Sequence, residues 1–359
     1  MARSGKPRGG RRGGRIFLLL LVLVGAAVAA WSWWTLRNPY KGYAGADQLV
    51  TIAPGSGTSQ ILQTLQRDGV IADARLARAY LIAKGSPRLQ AGQYRFRGAL
   101  TTAAALSKVI KGQIVARTLT IVEGLTVDEI ADQLARDKYG RREVFIGLMR
   151  SPRLIADLDP DAPDLEGYLF PETYSFAFNT PEHEIVETLV KTFRRRFERD
   201  VRPHLAQGPP GRSLRQVVTL ASIVEKEAKA SGDRPLIAAV YSNRLKQRIG
   251  LAADPTIIFA LKRLGRWTGN LRKDDLRMDS PYNGYRYAGL PPGPICSPGA
   301  ASLIAAAAPA DVPYLYFVSR NDGTHVFATT LAEHNRNVEI WQKKYWRDRW
   351  AAERKSAGR

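Results

Sequence analysis

The sequence predicts an α+β protein: a single N-terminal transmembrane helix, a small α+β module, and a larger, mostly helical domain with short strands. Three observations carry this expectation. A charge-free apolar run extends from Ile16 to Leu36, strand–turn–helix patterns recur between residues 45 and 134, and helical spacing dominates beyond Asp164.

The first fifteen residues hold Arg3, Lys6, Arg8, Arg11, Arg12 and Arg15, five glycines and no acid, so they read as a basic flexible tail. From Ile16 to Leu36 the 21 residues reach roughly 32 Å as a helix, enough for a hydrocarbon core of about 30 Å. Trp31, Trp33 and Trp34 gather at the far end, where indole rings favour the interface. The basic tail then stays cytoplasmic and everything after Arg37 lies outside. A cleaved signal peptide is the rival, since Ala26, Ala27, Ala29 and Ala30 follow a short apolar core. The length and the Trp cluster favour a retained anchor.

Val50–Ile52 reads as a strand, Pro54–Gly57 as a turn, and Ile61, Leu62 and Leu65 as one helix face. Leu119–Ile121, Glu123–Thr126 and then Ile130, Ala131 and Leu134 repeat that order, with Thr58 and Thr126 placed as helix caps. Between them the spacing predicts helices over Ala74–Ala83 and Thr102–Ile110 and a strand over Gly92–Phe96. The two copies together suggest one small module. Its layout resembles the LysM fold, a βααβ module that binds N-acetylglucosamine chains; a plain packing domain is the alternative. Ser151–Asp164, rich in Asp and Pro, reads as a loop and domain joint. Irregular stretches are expected at Phe170–Thr180, Arg202–Gly211 and Arg277–Pro298, and a buried strand over Tyr314–Ser319.

The formal net charge is +21, six of it from the tail, so the body itself is basic and drawn to polyanions. Anionic lipid, nucleic acid and a carboxylate-rich wall polymer are the candidates, beside an unspecific solvated surface. An exported body, with no zinc-ligand spacing, helix-turn-helix signature or aromatic RNA-binding motif, argues against nucleic acid. Cys296, the only cysteine, excludes an intramolecular disulfide, and His183, His204, His325 and His334 are too scattered for a zinc site.

Ser213 and Gln216 form a possible capping box ahead of Leu214, Val217, Val218, Leu220, Ala221, Ile223 and Val224, a helix apolar around most of its circumference. It nevertheless carries Glu225 and Glu227, which leave it about 200° apart, each beside apolar residues. Desolvation there should raise a carboxyl pKa, which a general acid needs. The alternative is that Lys226, Lys229 or a nearby Arg pairs with them. Spacing does not choose between the two glutamates.

Seven ordered blocks change the odds: Leu165–Tyr174, Ala221–Glu227, Tyr241–Leu245, Asp254–Thr256, Ser280–Asn283, Gly289–Ile295, and Phe327–Thr329 with Glu333–Asn335. In them the chain resembles the YceG-like family of endolytic murein transglycosylases over nearly all its length after the anchor. The resemblance implies cleavage of the β-1,4 bond between N-acetylmuramic acid and N-acetylglucosamine, with 1,6-anhydro ends, no metal and no cofactor. It also implies that the second acid of Glu225-Lys226-Glu227 is catalytic, which is Glu227. Peptidoglycan strands are the implied partner, with cell-wall synthesis enzymes as further ones. The implied location is a bacterial inner membrane, with the catalytic body in the periplasm.

The supporting candidates are Glu225, Glu166, Asn243, Asp254, Tyr282, Asn283, Tyr285, His325 and Asn335. Asp254, ahead of Pro255, reads first as a helix N-cap. Glu166 is either a second cleft carboxylate or a hydrogen-bonding turn residue. Tyr282, Asn283 and Tyr285 offer aromatic faces and an amide to a sugar, with turn chemistry as the alternative for Asn283. His325 and Asn335 are expected at the cleft edge. The expected organisation is tail 1–15, anchor 16–36, LysM-like module 45–115, catalytic domain 116–340, and a basic C-terminal helix or tail 341–359. A noncatalytic wall-binding scaffold gives no reason for buried glutamates. A muramidase-type hydrolase needs Glu166 or Asp254 as a second carboxylate.

Overall fold

The computed structural model describes residues 10–178 and 180–357, so residues 1–9 of the expected tail lie outside the described part. The fold is mixed α+β, largely helical with short strands, and divides into two compact units. One comprises Met1–Arg117 with Ser175–Asn179; the other comprises Thr118–Tyr174 with Thr180–Arg359.

In the first unit α1 runs from Gly10 to Arg37, and Phe17–Arg37 is apolar and long enough to cross a membrane. Residues 10–15, expected as flexible tail, continue this helix; arginine is a good helix former, and the apolar run supplies the turns it extends. Next come β1 (Asp47–Ile52), α2 (Thr58–Arg67), α3 (Ala74–Ala83), β2 (Gly92–Arg97) and α4 (Thr102–Ile110). β1 and β2 pair antiparallel, with Val50 opposite Tyr94 and Asp47 opposite Arg97. Val50, Ile52, Ile61, Leu62, Leu65, Leu81, Tyr94, Phe96, Leu106 and Val109 close the core beneath them. The period-2 and period-3.6 patterns therefore converge on one apolar centre. Asp73 caps α3 by accepting from the Arg75 and Leu76 amides, and Thr101 caps α4. The Thr58 cap is corrected: Gly57 occupies the N-cap of α2, without a side-chain bond.

The division between units falls within β3 (Ala116–Thr120), so the second strand–turn–helix copy lies chiefly in the second unit rather than joining the first in one module. There α5 (Val127–Arg136) begins on a capping box between Thr126 and Glu129, worth about 1 kcal/mol. α6 (Arg142–Met149) follows, and a 3-10 turn at Pro152–Leu154. The expected joint over Ser151–Asp164 is corrected as well. Asp159 is buried, accepts a fork from Arg215 and bonds the Tyr168 hydroxyl, which ties this stretch into the second unit. Phe170–Thr180 is not wholly irregular, because β4 (Thr173–Ala177) forms within it. Its partner is a distant segment: the Ile121 amide donates to the Glu172 carbonyl, and the Thr120 and Thr173 hydroxyls lie 3.0 Å apart.

After α7 (Glu182–Arg196) and a π-helical turn at Phe197–Val201, a 3-10 helix covers Arg202–Gln207, where irregular chain was expected. α8 (Leu214–Glu227) forms the centre of this unit, flanked by α9 (Arg234–Lys246), α10 (Asp254–Arg263) and α11 (Ala300–Ala307). The Ser213–Gln216 capping box is present, and every residue from Val217 to Val224 is buried. β5 (Tyr316–Ser319) and β6 (His325–Ala328) make an antiparallel hairpin. Only Val318 of β5 is buried, so the expected core strand is a half-buried one. α12 (Leu331–Val338), a π-helical turn at Glu339–Lys344 and α13 (Tyr345–Ala357) complete the described chain.

Candidate active site

The last turn of α8 leaves the core and presents its two glutamates in opposite surroundings. Glu225 accepts from the Arg234 guanidinium at 3.2 Å and, through Oε2, from the Gly299 amide at 2.9 Å. Arg234 is in turn held by the Ser302 hydroxyl at 3.1 Å. A cation, an amide and a packed helix end therefore satisfy this carboxylate. The pairing expected of a nearby Arg is real for Glu225; Lys226 instead donates to the Gly124 carbonyl at 3.2 Å.

Among the described residues no such cation bonds Glu227. Its Oε1 accepts from the Tyr241 hydroxyl at 3.0 Å, and no cation is among the causes that shift its proton affinity. Although the side chain stays partly open to solvent, the protein packed around it desolvates the anion. Burial raises its pKa to about 7; the Tyr241 bond lowers it, and the negative charge of Asp254 raises it further. Near neutrality such a group is available both as a proton donor and, once deprotonated, as an acceptor. Oε1 is committed to Tyr241, so Oε2 is the oxygen left for exchange.

Tyr241 is fixed by its own packing. It follows the buried run Ile237–Val240 of α9 and meets the Phe317 ring edge-on at 5.8 Å. Phe317 meets His325 edge-on at 5.3 Å, and His325 Nδ1 lies 2.9 Å from Asp233 Oδ2. The hairpin thus braces the residue that orients Glu227, and His325 acts two contacts away.

Asp254 lies in the first turn of α10, but Ala253 is the N-cap and no side-chain cap bond forms, which corrects the capping expectation. Its Oδ1 accepts from the Tyr285 hydroxyl at 2.7 Å instead. Pro255 follows it in the first turn, so the carboxylate is free to face the loop. Tyr285 is 45 % exposed, and burial and the neighbouring Asp254 and Glu227 charges push its hydroxyl pKa up. Glu227, Tyr241, Asp254 and Tyr285 thus form one electrostatic neighbourhood.

The other candidates stand elsewhere. Both Glu166 oxygens face the Val127 amide, at 3.2 and 3.1 Å, at the start of α5; burial pushes this carboxyl well above the usual range. Its neighbours are Asp164, paired with Arg263 at 3.3 Å, and Tyr282, whose ring packs on Phe259 at 5.0 Å. Asn283 is buried and organises its own loop: Nδ2 donates to the Leu276 and Met278 carbonyls, and Oδ1 accepts from the Tyr285 amide. Turn chemistry therefore accounts for this amide, and through it Asn283 sets where Tyr285 stands. Asn243 likewise donates to the Val312 and Tyr314 carbonyls and pins the approach to β5. Asn335 is exposed on α12.

Sequence reasoning named the Tyr241–Leu245 block without singling out Tyr241. A phenol closing an apolar helical run was the available signal, because a buried hydroxyl needs a partner. Arg234 carried no comparable signal, since its partner lies across an irregular turn.

The sequence profile of the YceG-like family matches residues 50–340. A Bacillus subtilis protein named endolytic murein transglycosylase is 32 % identical over 322 residues, covering 85 % of this chain and 88 % of that protein. A Streptococcus pneumoniae protein of the same name is 29 % identical over 355 residues, and the chain spans 64 % of its length. The crystal structure of a YceG-like protein from Listeria monocytogenes is similar, with a TM-score of 0.56 at 32 % identity, over 82 % of this chain and 99 % of that one. The chain belongs to the YceG-like family.

Proposed function

We propose that this chain is a membrane-anchored endolytic lytic transglycosylase of peptidoglycan, with Glu227 as its acid and then its base. The observation that carries the reading is the carboxyl of Glu227, held among the described residues by the neutral Tyr241 hydroxyl, with no paired cation, and balanced near neutral pH. The protonated carboxyl gives its proton to the glycosidic oxygen as the bond from C1 of N-acetylmuramic acid breaks. The resulting carboxylate takes the proton of the C6 hydroxyl as O6 bonds to C1. The product ends in a 1,6-anhydro sugar, no water is consumed, and Glu227 finishes protonated as it began. One carboxyl suffices for both steps, where a hydrolase needs a second to handle water.

The names of the Bacillus and Streptococcus relatives support murein as the substrate. The apolar helix Phe17–Arg37 supports a retained anchor with the basic tail inside and the body outside, in a bacterial inner membrane. An endolytic enzyme held there is placed to cut nascent strands as they leave synthesis, which makes it a terminator of strand growth.

Within the first unit, residues 45–115 are read as a LysM-like module that holds glycan. Its strand–helix–helix–strand order supports this, as does a groove of about 820 Å³ lined by Gly55, Ser56, Thr58, Arg88 and Gln90. Within the second unit the reading assigns catalysis to the surroundings of α8.

Mass spectrometry of the fragments released from purified murein tests the reaction. Anhydro ends, lighter by one water than reducing ends, are the expected result. Reducing ends would overturn the transglycosylase assignment in favour of a hydrolase using Asp254 as its second carboxylate.

A further inference from the structure

The C-terminal helix is not used by this chemistry, and its surface is unusual. α13 continues from α12 through the π-helical turn and packs mainly against that turn. Trp346 and Trp350 stand one turn apart with ring centroids 6.1 Å apart, and Trp350 is 58 % exposed. Gln342, Lys343, Trp346, Arg347, Trp350 and Arg354 line one shallow face, which combines two indoles with three cations. The acids beside it are ion-paired or point away: Glu339 pairs with Lys343 at 3.0 Å and with Arg347 at 3.9 Å, in exposed pairs whose place headgroup phosphates can take. Asp348 leaves the helix about 200° from Trp346, and Glu353 is bonded by Arg349 at 3.0 Å. From Trp341 to Arg354 the sequence carries five cations and two acids.

A helix packed into the core would bury Trp350, and a merely solvated one would carry no exposed indoles. Indole rings gather at the boundary between hydrocarbon and headgroups, and Lys and Arg lay their stems on apolar surface while their charged ends reach outward. We propose that this face of α13 docks on an anionic phospholipid surface, with Trp346 and Trp350 in the interface and Lys343, Arg347 and Arg354 on headgroup phosphates. Charge complementarity, together with the exposed indole pair, selects this occupant over a carboxylate-rich wall polymer. A glycan strand needs hydrogen-bonding partners around a stacked sugar, and Gln342 is the one neutral amide on the face.

The proposal rests on reading Phe17–Arg37 as an anchor, because a tethered body meets the bilayer at high effective concentration. Docking would then hold the C-terminal end of the second unit close to the membrane surface.

Hydrogen exchange on the full chain in nanodiscs tests it, comparing phosphatidylcholine alone with phosphatidylcholine containing phosphatidylglycerol. The amides of Tyr345–Ala357 should exchange about 10-fold more slowly in the anionic discs. That protection should vanish in the variant Lys343→Glu/Arg347→Glu/Arg354→Glu and in Trp346→Ser/Trp350→Ser, with the amides of α8 unchanged. Equal exchange in both discs overturns the proposal. So does protection by added glycan strands without protection by anionic lipid, which would make the face a wall-binding one. Phe17–Arg37 is the internal control. Fast exchange there defeats the anchor reading alone, and phosphatidylglycerol vesicles added to the chain then decide docking by the same amides.

Discussion

Glu225 and Glu227 lie two residues apart on one helix and differ in almost everything that sets the behaviour of a carboxyl group. Around Glu225 the protein supplies a guanidinium and a backbone amide, so the anion is compensated where it stands. Around Glu227 it supplies one neutral hydroxyl and a nearby negative charge, so the anion is penalised. The backbone does nothing to distinguish them; both end the same turn. What separates them is the groups brought up by α9, α10 and the loop before α11: side chains from the two helices and the Gly299 amide from the loop. The first arrangement stabilises a fold, and the second keeps a proton available at neutral pH.

The largest expected effect removes the proton that Glu227 carries. Glu227→Gln should lower murein cleavage by about 10²- to 10⁴-fold while the protein still melts cooperatively. Glu225→Gln should keep measurable turnover, and equal loss in both variants would erase the contrast. Next in size is the compensated side. Arg234→Met strands Glu225 in a mostly buried position and should cost about 3 kcal/mol of unfolding free energy by denaturant titration. Glu225→Gln still accepts from the Gly299 amide, and should cost only about 1 kcal/mol.

The uncompensated side has a stability cost of its own. The Glu227 pKa is raised to about 7 in the folded protein from its ordinary value of 4.5, so its contribution is fully present below about pH 4.5 and is lost as pH rises through 7. Glu227→Gln should therefore match the parent at pH 4 and be more stable at pH 8, by about 1–3 kcal/mol. Equal stability at both pH values would mean that the carboxyl is not penalised.

The smallest effects sharpen the comparison by moving the pH dependence in opposite directions. Cleavage that needs the protonated acid falls as pH rises through about 7. Asp254→Asn removes a charge that raises the Glu227 pKa, so the fall should begin at lower pH. Tyr241→Phe removes a bond that lowers it, so the fall should begin at higher pH, with the maximal rate reduced about 2- to 10-fold by lost orientation. Both limbs moving the same way would contradict the assigned surroundings.

How much of this was legible depended on the range of the interaction concerned. Ala74–Ala83 and Thr102–Ile110 are helices with the expected bounds, because apolar spacing and adjacent caps decide them locally. The Ser213–Gln216 box and the buried run of α8 were readable for the same reason. β4 was not, since its neighbour is a segment about fifty residues earlier and the short strand lies between Pro171 and Pro181. The two glutamates were visible as a pair in an apolar helix, but Arg234 begins the next helix and Tyr241 lies in its third turn. Asp254 read as a cap because an acid before proline commonly is one; Tyr285, 31 residues on, competes for that oxygen. Asn283 illustrates the reverse, a local turn residue that a functional pattern made tempting.

The contrast at the end of α8 is tested most directly by titrating the carboxyl itself. Carbon-13 NMR of side-chain-labelled glutamate, with the Glu227→Gln spectrum subtracted to assign the resonance, gives its midpoint without reference to turnover. The account predicts a Glu227 midpoint near 7 that falls in Asp254→Asn and rises in Tyr241→Phe. A midpoint near the ordinary carboxyl value of 4.5, unmoved by either substitution, would contradict it.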